Sequence, residues 1–502
     1  MIEHRYKVVI VGAGFGGLTM GAELLDAGID DFLILEEGNE VGGVWRENTY
    51  PGCSCDVPSH LYSFRFDRWR DRRTRYPEQA TILDYMRTAA DNAGLRAHIR
   101  VDTMVNAARY HDADGTWTLT TTHGERIRTD AVVWAIGQLH RPAVPEMPGV
   151  AEFAGQVFHS ARWDHDADLT GHIAVVGTGS SATQMVPELA RTAASVTVFQ
   201  RTPAWILPKP GAEFGPITRT ALRVPGLHRL YRAALHHGAD MVLAPIMHRG
   251  WSARPAEWVA RAHLRRQVHD PELREQLRPR YRIGEKRILL DSSFYPALSQ
   301  PHLRLVTDPI ERLTHDGVRT SDGRHHQADT VVWATGFRAT EFFDGVTVTG
   351  AGGVDLHSQW ARAGRPEAFF GLAVAGFPNM FMIAGPNSFT PSSSNPTIKA
   401  IQARYIRACL DSSVELGRPV EVTTAAMATY SSWLDAQLGA SVWPDGVRTW
   451  FTRPDGQITN PWPATVREFG RQLDRFRPAG TFAHVEPAPE QLDVTAAVVV
   501  GT

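Results

Sequence analysis

Two glycine-rich turns are the features of this sequence that most directly indicate chemistry. Each follows an apolar, β-branched run, KVVIV in the first case and HIAVV in the second. Their small residues are Gly12, Gly14 and Gly17 in the first turn and Gly177, Gly179 and Ala182 in the second. In a strand–turn–helix unit the first glycine permits the tight bend, the second admits a pyrophosphate, and the third small residue brings helix and strand together. Free N–H groups and the helix dipole then attract the phosphates, so each turn predicts a dinucleotide site.

The ends of the next two strands indicate which dinucleotide each turn binds. Glu36 ends the first strand, and a carboxylate there accepts hydrogen bonds from an unphosphorylated ribose, as in FAD or NAD. The second strand ends instead in Arg201 and Thr202, with no acidic residue. An arginine suits the 2′-phosphate of NADP, which a carboxylate would repel. We therefore expect FAD at the first turn, NADPH at the second, and hydride transfer from NADPH to the flavin.

The elements around the two turns repeat. Each copy has a strand, the glycine turn, a helix and a second strand, followed by strands broken at an Asp-Gly turn. Each copy then closes with nearly the same segment, DAVVWAIG at 130–137 and DTVVWATG at 329–336. The second copy is 34 residues longer, and the surplus is best placed within the helical-looking stretch 218–281. The sequence thus predicts an α/β fold with two Rossmann-like dinucleotide-binding domains and a helical insertion in the second.

Composition narrows the function classes. Lys and Arg number 52 and Asp and Glu 54, a net charge of −2 that argues against nucleic acid as a partner. Apolar runs fall short of the roughly 18 residues of a membrane helix, so we expect no membrane partner. Three cysteines make no disulfide framework and favour the cytoplasm. The 21 histidines lack metal-ligand spacing, so no metal is expected.

The electrons of the reduced flavin have three possible destinations. A thiol reductase would use a cysteine pair, but Cys53 and Cys55 form Cys-x-Cys, which fits two small buried residues in a turn better. An electron carrier would need no reaction pocket. A monooxygenase would pass the electrons to O2 and would need a cation and a dry pocket near the reacting oxygen.

The segment joining the two copies bears on this choice. It contains Phe153, Gly155, His159 and Trp163, followed by an aspartate. The segment resembles the linker of type I Baeyer–Villiger monooxygenases, Phe-x-Gly-x-x-x-His-x-x-x-Trp followed by Pro or Asp. Related flavin monooxygenases that oxygenate nitrogen or sulfur usually have Tyr or Phe at the tryptophan position. The resemblance implies that His159 and Trp163 couple NADP movement to catalysis.

The resemblance extends over most of the chain. It includes 42–56, similar to the family's flavin-contacting stretch, and 286–295, similar to its Lys-Arg motif. Stretches 334–337 and 376–387 resemble later signatures that return the chain to the FAD domain. The resemblance therefore implies an FAD domain of residues 1–150 and 338–502 and an NADP domain of 151–337, with a cap insertion at about 215–281. Besides the residues above, it implies cofactor contacts at Phe15, Val44, Trp45, Asp56, Tyr62, Val105, Thr178, Ser180, Ser181, Lys286, Thr335, Gly336 and Asn387.

The implied reaction inserts one oxygen atom of O2 beside a ketone carbonyl, giving an ester or lactone through a C4a-peroxyflavin. Negative charge lies on oxygen throughout, so a fixed guanidinium has a physical purpose, and Arg287 is the candidate. Asp56 would orient it, and Lys286 would join Arg201 at the 2′-phosphate. Oxygenation of sulfides or amines stays an alternative, and so does an NADPH-dependent flavoprotein reductase or electron carrier. The insertion is either a packed appendage or a cap over the substrate pocket.

Overall fold

The computed structural model describes residues 5–71 and 73–486 of the 502-residue chain. Its strands are β1 Arg5–Val11, β2 Phe32–Leu35, β3 Ile99–Arg100, β4 Val105–His111, β5 Thr116–Thr121, β6 Arg126–Trp134, β7 Gln156–His159, β8 His172–Val176, β9 Ser195–Phe199, β10 Ile206–Leu207, β11 Leu289–Leu290, β12 Leu303–Val306, β13 Ile310–Thr314, β14 Gly317–Thr320, β15 His325–Gln327, β16 Thr330–Trp333, β17 Thr347–Thr349, β18 Met380–Met382, β19 Val420–Val422 and β20 Phe482–His484. Its α-helices are α1 Phe15–Asp26, α2 Val44–Glu47, α3 Gln79–Asn92, α4 Ser180–Leu189, α5 Pro216–Ala221, α6 Pro225–Gly238, α7 Ala244–Ile246, α8 Ala253–Gln267, α9 Pro271–Gln276, α10 Phe294–Leu298, α11 Leu356–Arg362, α12 Asn395–Leu416, α13 Thr424–Gly439, α14 Val466–Arg475 and α15 Pro478–Thr481.

The first sheet holds the first glycine turn. Its order is β17-β4-β5-β6-β1-β2-β3, and β18 also pairs with β6. Strand β6 is antiparallel to β5 along its first half and parallel to β1 and β18 at its end. The last four residues of β1 are buried, as expected for a parallel strand covered on both faces. Strands β17 and β18 come from beyond residue 337, so the C-terminal segment completes the first sheet.

The second sheet is entirely parallel and holds the second glycine turn. Its order is β12-β9-β8-β16-β7, and a separate antiparallel meander contains β13, β14 and β15. The closing segments predicted from the repeat are β6 and β16, each beside the strand that leads into a glycine turn. The structure therefore has the two Rossmann-type units that the sequence predicts.

The insertion between β10 and β11 consists of helices α5 to α9, with a π-helical segment at Ala239–Leu243. The insertion contacts two segments of the first unit, one near residue 60 and one near residue 442. The guanidinium of Arg232 donates hydrogen bonds to the His60 carbonyl at 2.6 Å and the Ser63 hydroxyl at 2.7 Å. On the other side, the Val442 N–H donates to the Met247 carbonyl at 2.9 Å. The insertion is thus a packed bridge, and its action as a cap stays a prediction.

Helix α12 belongs to the C-terminal segment and packs against the first unit through α1. Pro396 lies in its first turn, and Gly417, with φ 62°, ends it in the left-handed conformation that glycine favours. The helix packs along α1, where Arg407 Nε lies 3.3 Å from Glu23 Oε1. None of the helices in residues 5–71 and 73–486 combines the length and apolar character that crossing a bilayer requires.

Candidate active site

The first glycine turn has the shape of a phosphate cradle. Gly12 has a φ of 103°, and a Cβ built there would lie 2.6 Å from the Ala135 carbonyl oxygen. A Cβ at Gly17 would lie 1.8 Å from the Gly12 carbonyl oxygen, so this glycine sets the close approach of helix and strand. Helix α1 begins at Phe15 with no side-chain cap, which leaves its first N–H groups free for phosphate oxygens. The residues present therefore fit a dinucleotide pyrophosphate.

Glu36 lies beside this cradle but already has three hydrogen-bond donors. Its Oε2 accepts from the Ala13 N–H at 2.7 Å, and its Oε1 accepts from the Gly38 N–H at 2.9 Å. The Arg46 guanidinium lies 2.6 Å from the same Oε1. Because a carboxylate has about four acceptor sites, roughly one remains for a ribose hydroxyl. Arg46 is thus part of this site, although sequence reasoning did not select it.

An elongated cavity extends from this cradle to the start of α12. Of the residues predicted to bind FAD, its walls contain Gly12, Gly14, Phe15, Glu36, Val44, Tyr62 and Val105. Trp45 lies behind this wall and donates its indole N–H to the Tyr62 hydroxyl at 3.0 Å. Asn387 is not among the residues that line this cavity, and its amide donates to the Ile458 and Pro461 carbonyls at 3.1 and 3.3 Å. That side chain fixes the 458–461 loop, so we expect its influence on a cofactor to be indirect.

The second glycine turn repeats the geometry of the first. Gly177 has a φ of 119°, and a Cβ there would lie 2.4 Å from the Ala334 carbonyl oxygen. Nothing lies within 4 Å of the position of a Gly179 Cβ, so the turn is open toward a ligand. The other residues predicted here surround the turn: Thr178, Ser180, Ser181, Ala182, Thr202, Thr335 and Gly336. Of these, Ala182 is fully buried at the helix–strand contact, and the Thr178 hydroxyl donates to the Thr202 carbonyl at 3.3 Å.

Two cations lie together at the end of this second cradle. Arg201 is exposed, whereas Lys286 is half-buried with its Nζ 5.4 Å from the centre of the Tyr281 ring. Burial and the positive charge of Arg201 together lower the pKa of Lys286 to about 8. Neither side chain pairs with a carboxylate in the described part of the chain. Two adjacent cations without an anion fit the 2′-phosphate of NADP.

A bidentate ion pair joins the two halves of the site. The Nη2 of Arg287 donates to both carboxylate oxygens of Asp56, at 2.7 and 2.8 Å, and its Nε lies 3.3 Å from Oδ2. Burial acts to lower the pKa of Arg287, but the charge and hydrogen bonds of Asp56 outweigh it and raise the pKa. The guanidinium carbon also lies 5.7 Å from the centre of the Phe389 ring, which lines the first cavity. The site therefore contains an oriented, permanently charged cation next to that cavity.

The linker residues form the edge strand of the second sheet. Phe153 is buried, and Gly155 has no room for a side chain because a Cβ would lie 2.1 Å from the Asp329 carbonyl oxygen. Strand β7 then brings His159 level with Trp333 of β16, at the carboxyl edge where parallel sheets bind ligands. Trp163 is buried and packs edge-on against the Phe158 ring at 5.1 Å.

His159 is held in its neutral form. It is 4% exposed, and its Nδ1 accepts the Ala161 N–H at 3.0 Å, which leaves the proton on Nε2. Burial, together with the positive charge of Arg162, lowers its pKa to about 4, although the Gly336 carbonyl acts in the opposite direction. Its Nε2 has no hydrogen bond of normal geometry in the described structure, and the carbonyl that it faces, that of Gly336, belongs to the second cradle. His159 therefore has one donor directed toward the second cofactor cradle.

Comparisons with known proteins agree with this geometry. Residues 9–224 match a family described as pyridine nucleotide-disulphide oxidoreductase. A Baeyer–Villiger monooxygenase of Streptomyces coelicolor is 36% identical, covering 99% of this chain and 96% of the relative. The chain belongs to the Baeyer–Villiger monooxygenase family. This confirms the family that the linker and Lys-Arg motifs predict.

Solved structures of the family confirm the fold. The crystal structure of cyclohexanone monooxygenase from Rhodococcus sp. Phi1 bound to NADP+ has a TM-score of 0.85 and 26% identity, covering 96% of this chain and 99% of that one. The structure of OTEMO in complex with FAD and NADP also has a TM-score of 0.85, with 25% identity, covering 95% of this chain and 99% of that one. The α/β architecture of two dinucleotide-binding units is therefore shared along nearly the whole chain.

The cysteines lack the properties of a redox pair. Cys53 and Cys55 are both free and buried. Burial raises the pKa of Cys53 to about 12 and raises that of Cys55 further. Because the thiolate is the reactive form, both side chains are unreactive at neutral pH. The described residues contain no group of His, Cys, Asp or Glu side chains placed to hold a metal ion.

Sequence reasoning also missed two residues beside the first cavity. His140 lies between Glu37 and Glu47, whose hydrogen bonds raise its pKa to about 9. Lys399 of α12 contributes to the cavity wall. The only available signal for Lys399 was that it is the one charged residue in 395–403. No pattern distinguishes His140 from the other histidines, because its partners are brought to it by the fold.

Proposed function

We propose that this member of the family is an FAD- and NADPH-dependent Baeyer–Villiger monooxygenase that converts a ketone and O2 into an ester or lactone. The observation that supports this best is the Arg287–Asp56 pair, which lies next to the first cavity and one residue from Lys286. FAD, when bound, supplies the chemistry that activates O2, and NADPH supplies the hydride. The first cradle would hold FAD and the second NADPH.

Arg287 is the proposed catalytic cation. Negative charge on oxygen during ketone oxygenation is stabilised by a preorganised donor in a water-poor site. A guanidinium stays protonated at any working pH and directs several N–H groups in one plane. Asp56 uses two of these N–H groups, which fixes the plane and leaves the remaining guanidinium N–H groups available for a reacting oxygen. Asp56 is thus a positioning residue, and removing it would leave a partly buried lone cation.

The remaining assignments follow from the same geometry. His159 is neutral and faces the Gly336 carbonyl of the second cradle, so its Nε2–H would donate to the nicotinamide cofactor, and Trp163 would hold β7 in the position this requires. We assign residues 1–150 and 338–502 to the FAD domain, since β17 and β18 complete the first sheet. Residues 151–337 make the NADP domain, with the insertion at about 215–281 as the candidate cap.

Replacing Arg287 tests the proposal. With cyclohexanone as the probe, Arg287→Ala is expected to lower the rate of ester formation by ~10²–10³-fold, the usual effect of removing one preorganised stabiliser. Anaerobic reduction of the flavin by NADPH should stay within about threefold of wild type, because that half-reaction needs no charge at this position. In air, NADPH consumption should continue with hydrogen peroxide as the product.

The matched control is Arg280→Ala. Arg280 pairs with Glu275 at 3.2 Å, and its side chain is 81% exposed, so its removal should change neither half-reaction. Ester formation by Arg287→Ala at the wild-type rate would remove Arg287 from the mechanism. Wild-type enzyme that gives only hydrogen peroxide with ketones, but a sulfoxide with methyl phenyl sulfide, would instead identify a sulfide oxygenase.

A further inference from the structure

Lys399 lies where two helices begin at the same cavity. Phe15 is the first residue of α1, Asn395 is the first residue of α12, and both line the first cavity together with Lys399. Farther along, Arg407 of α12 reaches Glu23 of α1. The two helices therefore run side by side in the same direction, and both begin at the cavity. Lys399 adds a full positive charge one turn into α12.

This charge has no partner in the described structure. Lys399 is half-buried, and its ammonium has no hydrogen bond or ion pair among residues 5–71 and 73–486. Burial lowers its pKa to about 8, so at pH 7 the group is still mostly protonated. A half-buried cation without a partner on a cavity wall is costly unless a ligand supplies the negative charge. The structure thus has a cation ready for an anionic or strongly accepting part of the bound cofactor.

The other parts of FAD are already assigned to other residues. The Gly12–Gly14 turn suits the pyrophosphate, and Glu36 suits the adenosine ribose. Val44, Tyr62 and Phe389 are the apolar and aromatic wall that suits a flat ring, and Lys399 lines the same cavity. We propose that Lys399 contacts the N1–C2=O edge of the flavin and, with the N-terminus of α12, raises the reduction potential of the bound FAD. This rests on the proposed FAD site.

A cation at this edge would raise the reduction potential because of the distribution of negative charge in the reduced flavin. Hydride transfer takes two electrons and a proton from the nicotinamide C4 of NADPH to the flavin N5, which leaves NADP+ and a flavin anion. The extra negative charge gathers at the N1–C2=O edge, so a cation there favours the reduced form more than the oxidised form. Charge near N1 is one of the main means by which a protein tunes a flavin.

The test measures the cofactor without substrate or oxygen. Lys399→Met, Lys399→Arg and Lys7→Met are compared, since Lys7 is an exposed lysine on β1 that serves as the control. The first measurement is the two-electron midpoint potential of bound FAD by dye equilibration. The second is the Kd for sulfite, which adds at N5 and places the same negative charge at N1.

In Lys399→Met we expect sulfite to bind about tenfold more weakly. A tenfold change in the two-electron equilibrium corresponds to a potential about 30 mV lower. Lys399→Arg should keep both values near wild type, and Lys7→Met should change neither. A wild-type potential in Lys399→Met, with FAD released more easily, would overturn the proposal and assign Lys399 to the pyrophosphate. Both measurements are made without ketone and without ester formation. They can therefore contradict the role of Lys399 independently of whether the proposed oxygenation is observed.

Discussion

The pair of cations at the second cradle leads to a prediction about cofactor choice and its pH dependence. Arg201 and Lys286 should together select NADPH over NADH, because only NADPH carries the 2′-phosphate. Lys286 has a pKa of about 8 in the free protein because burial and Arg201 both disfavour its charge. It is therefore about nine-tenths protonated at pH 7 but only ~3% protonated at pH 9.5. Since the protonated form is the one that binds phosphate, affinity should be highest below pH 8 and should fall above it.

The expected magnitudes follow from the exposure of each side chain. A hydrogen bond to a charged group contributes about 1.5–3 kcal/mol, which corresponds to ~10–150-fold in Kd. Arg201 is exposed and screened by solvent, so Arg201→Ala should cost about tenfold, near the lower limit. Lys286 is half-buried, so Lys286→Met should cost ~30-fold at pH 7. Raising the pH from 7 to 9.5 should weaken wild-type binding by up to the same ~30-fold, since it removes the same charge.

The assay is the equilibrium Kd of NADP+ for the oxidised enzyme, measured by titration calorimetry at several pH values, with NAD+ as the internal control. Arg201→Ala and Lys286→Met should weaken NADP+ binding and leave NAD+ binding unchanged. Lys286→Met should also abolish the loss of NADP+ affinity between pH 7 and 9.5. Arg265→Ala, an exposed arginine of α8, should bind both nucleotides like wild type. Equal weakening of NADP+ and NAD+ in either cradle variant would refute the assignment of these residues to the 2′-phosphate.

Two further predictions concern the first cradle. Gly17→Ala places a Cβ 1.8 Å from the Gly12 carbonyl oxygen, so the turn must shift, and the purified protein should retain less than half of its FAD by absorbance. The control is Gly439→Ala at the end of α13, where a Cβ meets open space, and this variant should retain all of its FAD. The carboxylates of Glu37 and Glu47 raise the pKa of His140 to about 9, so the stabilisation by its charge is fully present below pH 6.5 and is lost as the pH rises toward 9. Between these pH values the free energy of unfolding, measured with urea, should fall by up to about 3 kcal/mol in wild type and by much less in His140→Gln. An equal fall in both proteins would show that His140 is not the cause.

Local patterns predicted the cradles because a glycine turn depends on residues close together in sequence. Gly12 and Gly177 must be glycine because a Cβ there would collide with the carbonyl of Ala135 or Ala334. Both alanines belong to the closing segments that the sequence repeat already shows. Contacts between side chains that are far apart in the sequence cannot be predicted from such local patterns. Arg46 of α2 pairs with Glu36, which follows β2, and the amide of Asn387 bonds to the 458–461 loop more than 70 residues later.

Lys399 shows why such residues escape sequence reasoning. A lysine in a helix that carries both apolar and charged residues is ordinary when it faces solvent, and periodicity does not reveal which face meets a cavity. Its position became informative once α12 was seen to start beside α1. The same holds for the insertion, whose contacts with the His60 and Val442 segments depend on tertiary packing alone.

The Arg287–Asp56 pair gives a physical reason for building the site from two units of one chain. The partners are 231 residues apart, Asp56 following the first cradle and Arg287 following the insertion of the second. Near the pair, Gly52 fits against α4 with no room for a Cβ, which would lie 2.5 Å from the Gln184 carbonyl oxygen. Any change in how the units pack therefore moves the guanidinium relative to the first cavity. In the proposed mechanism Arg287 is the cation that stabilises negative charge on oxygen, so cofactor geometry and catalytic electrostatics would depend on the same contact between the two units.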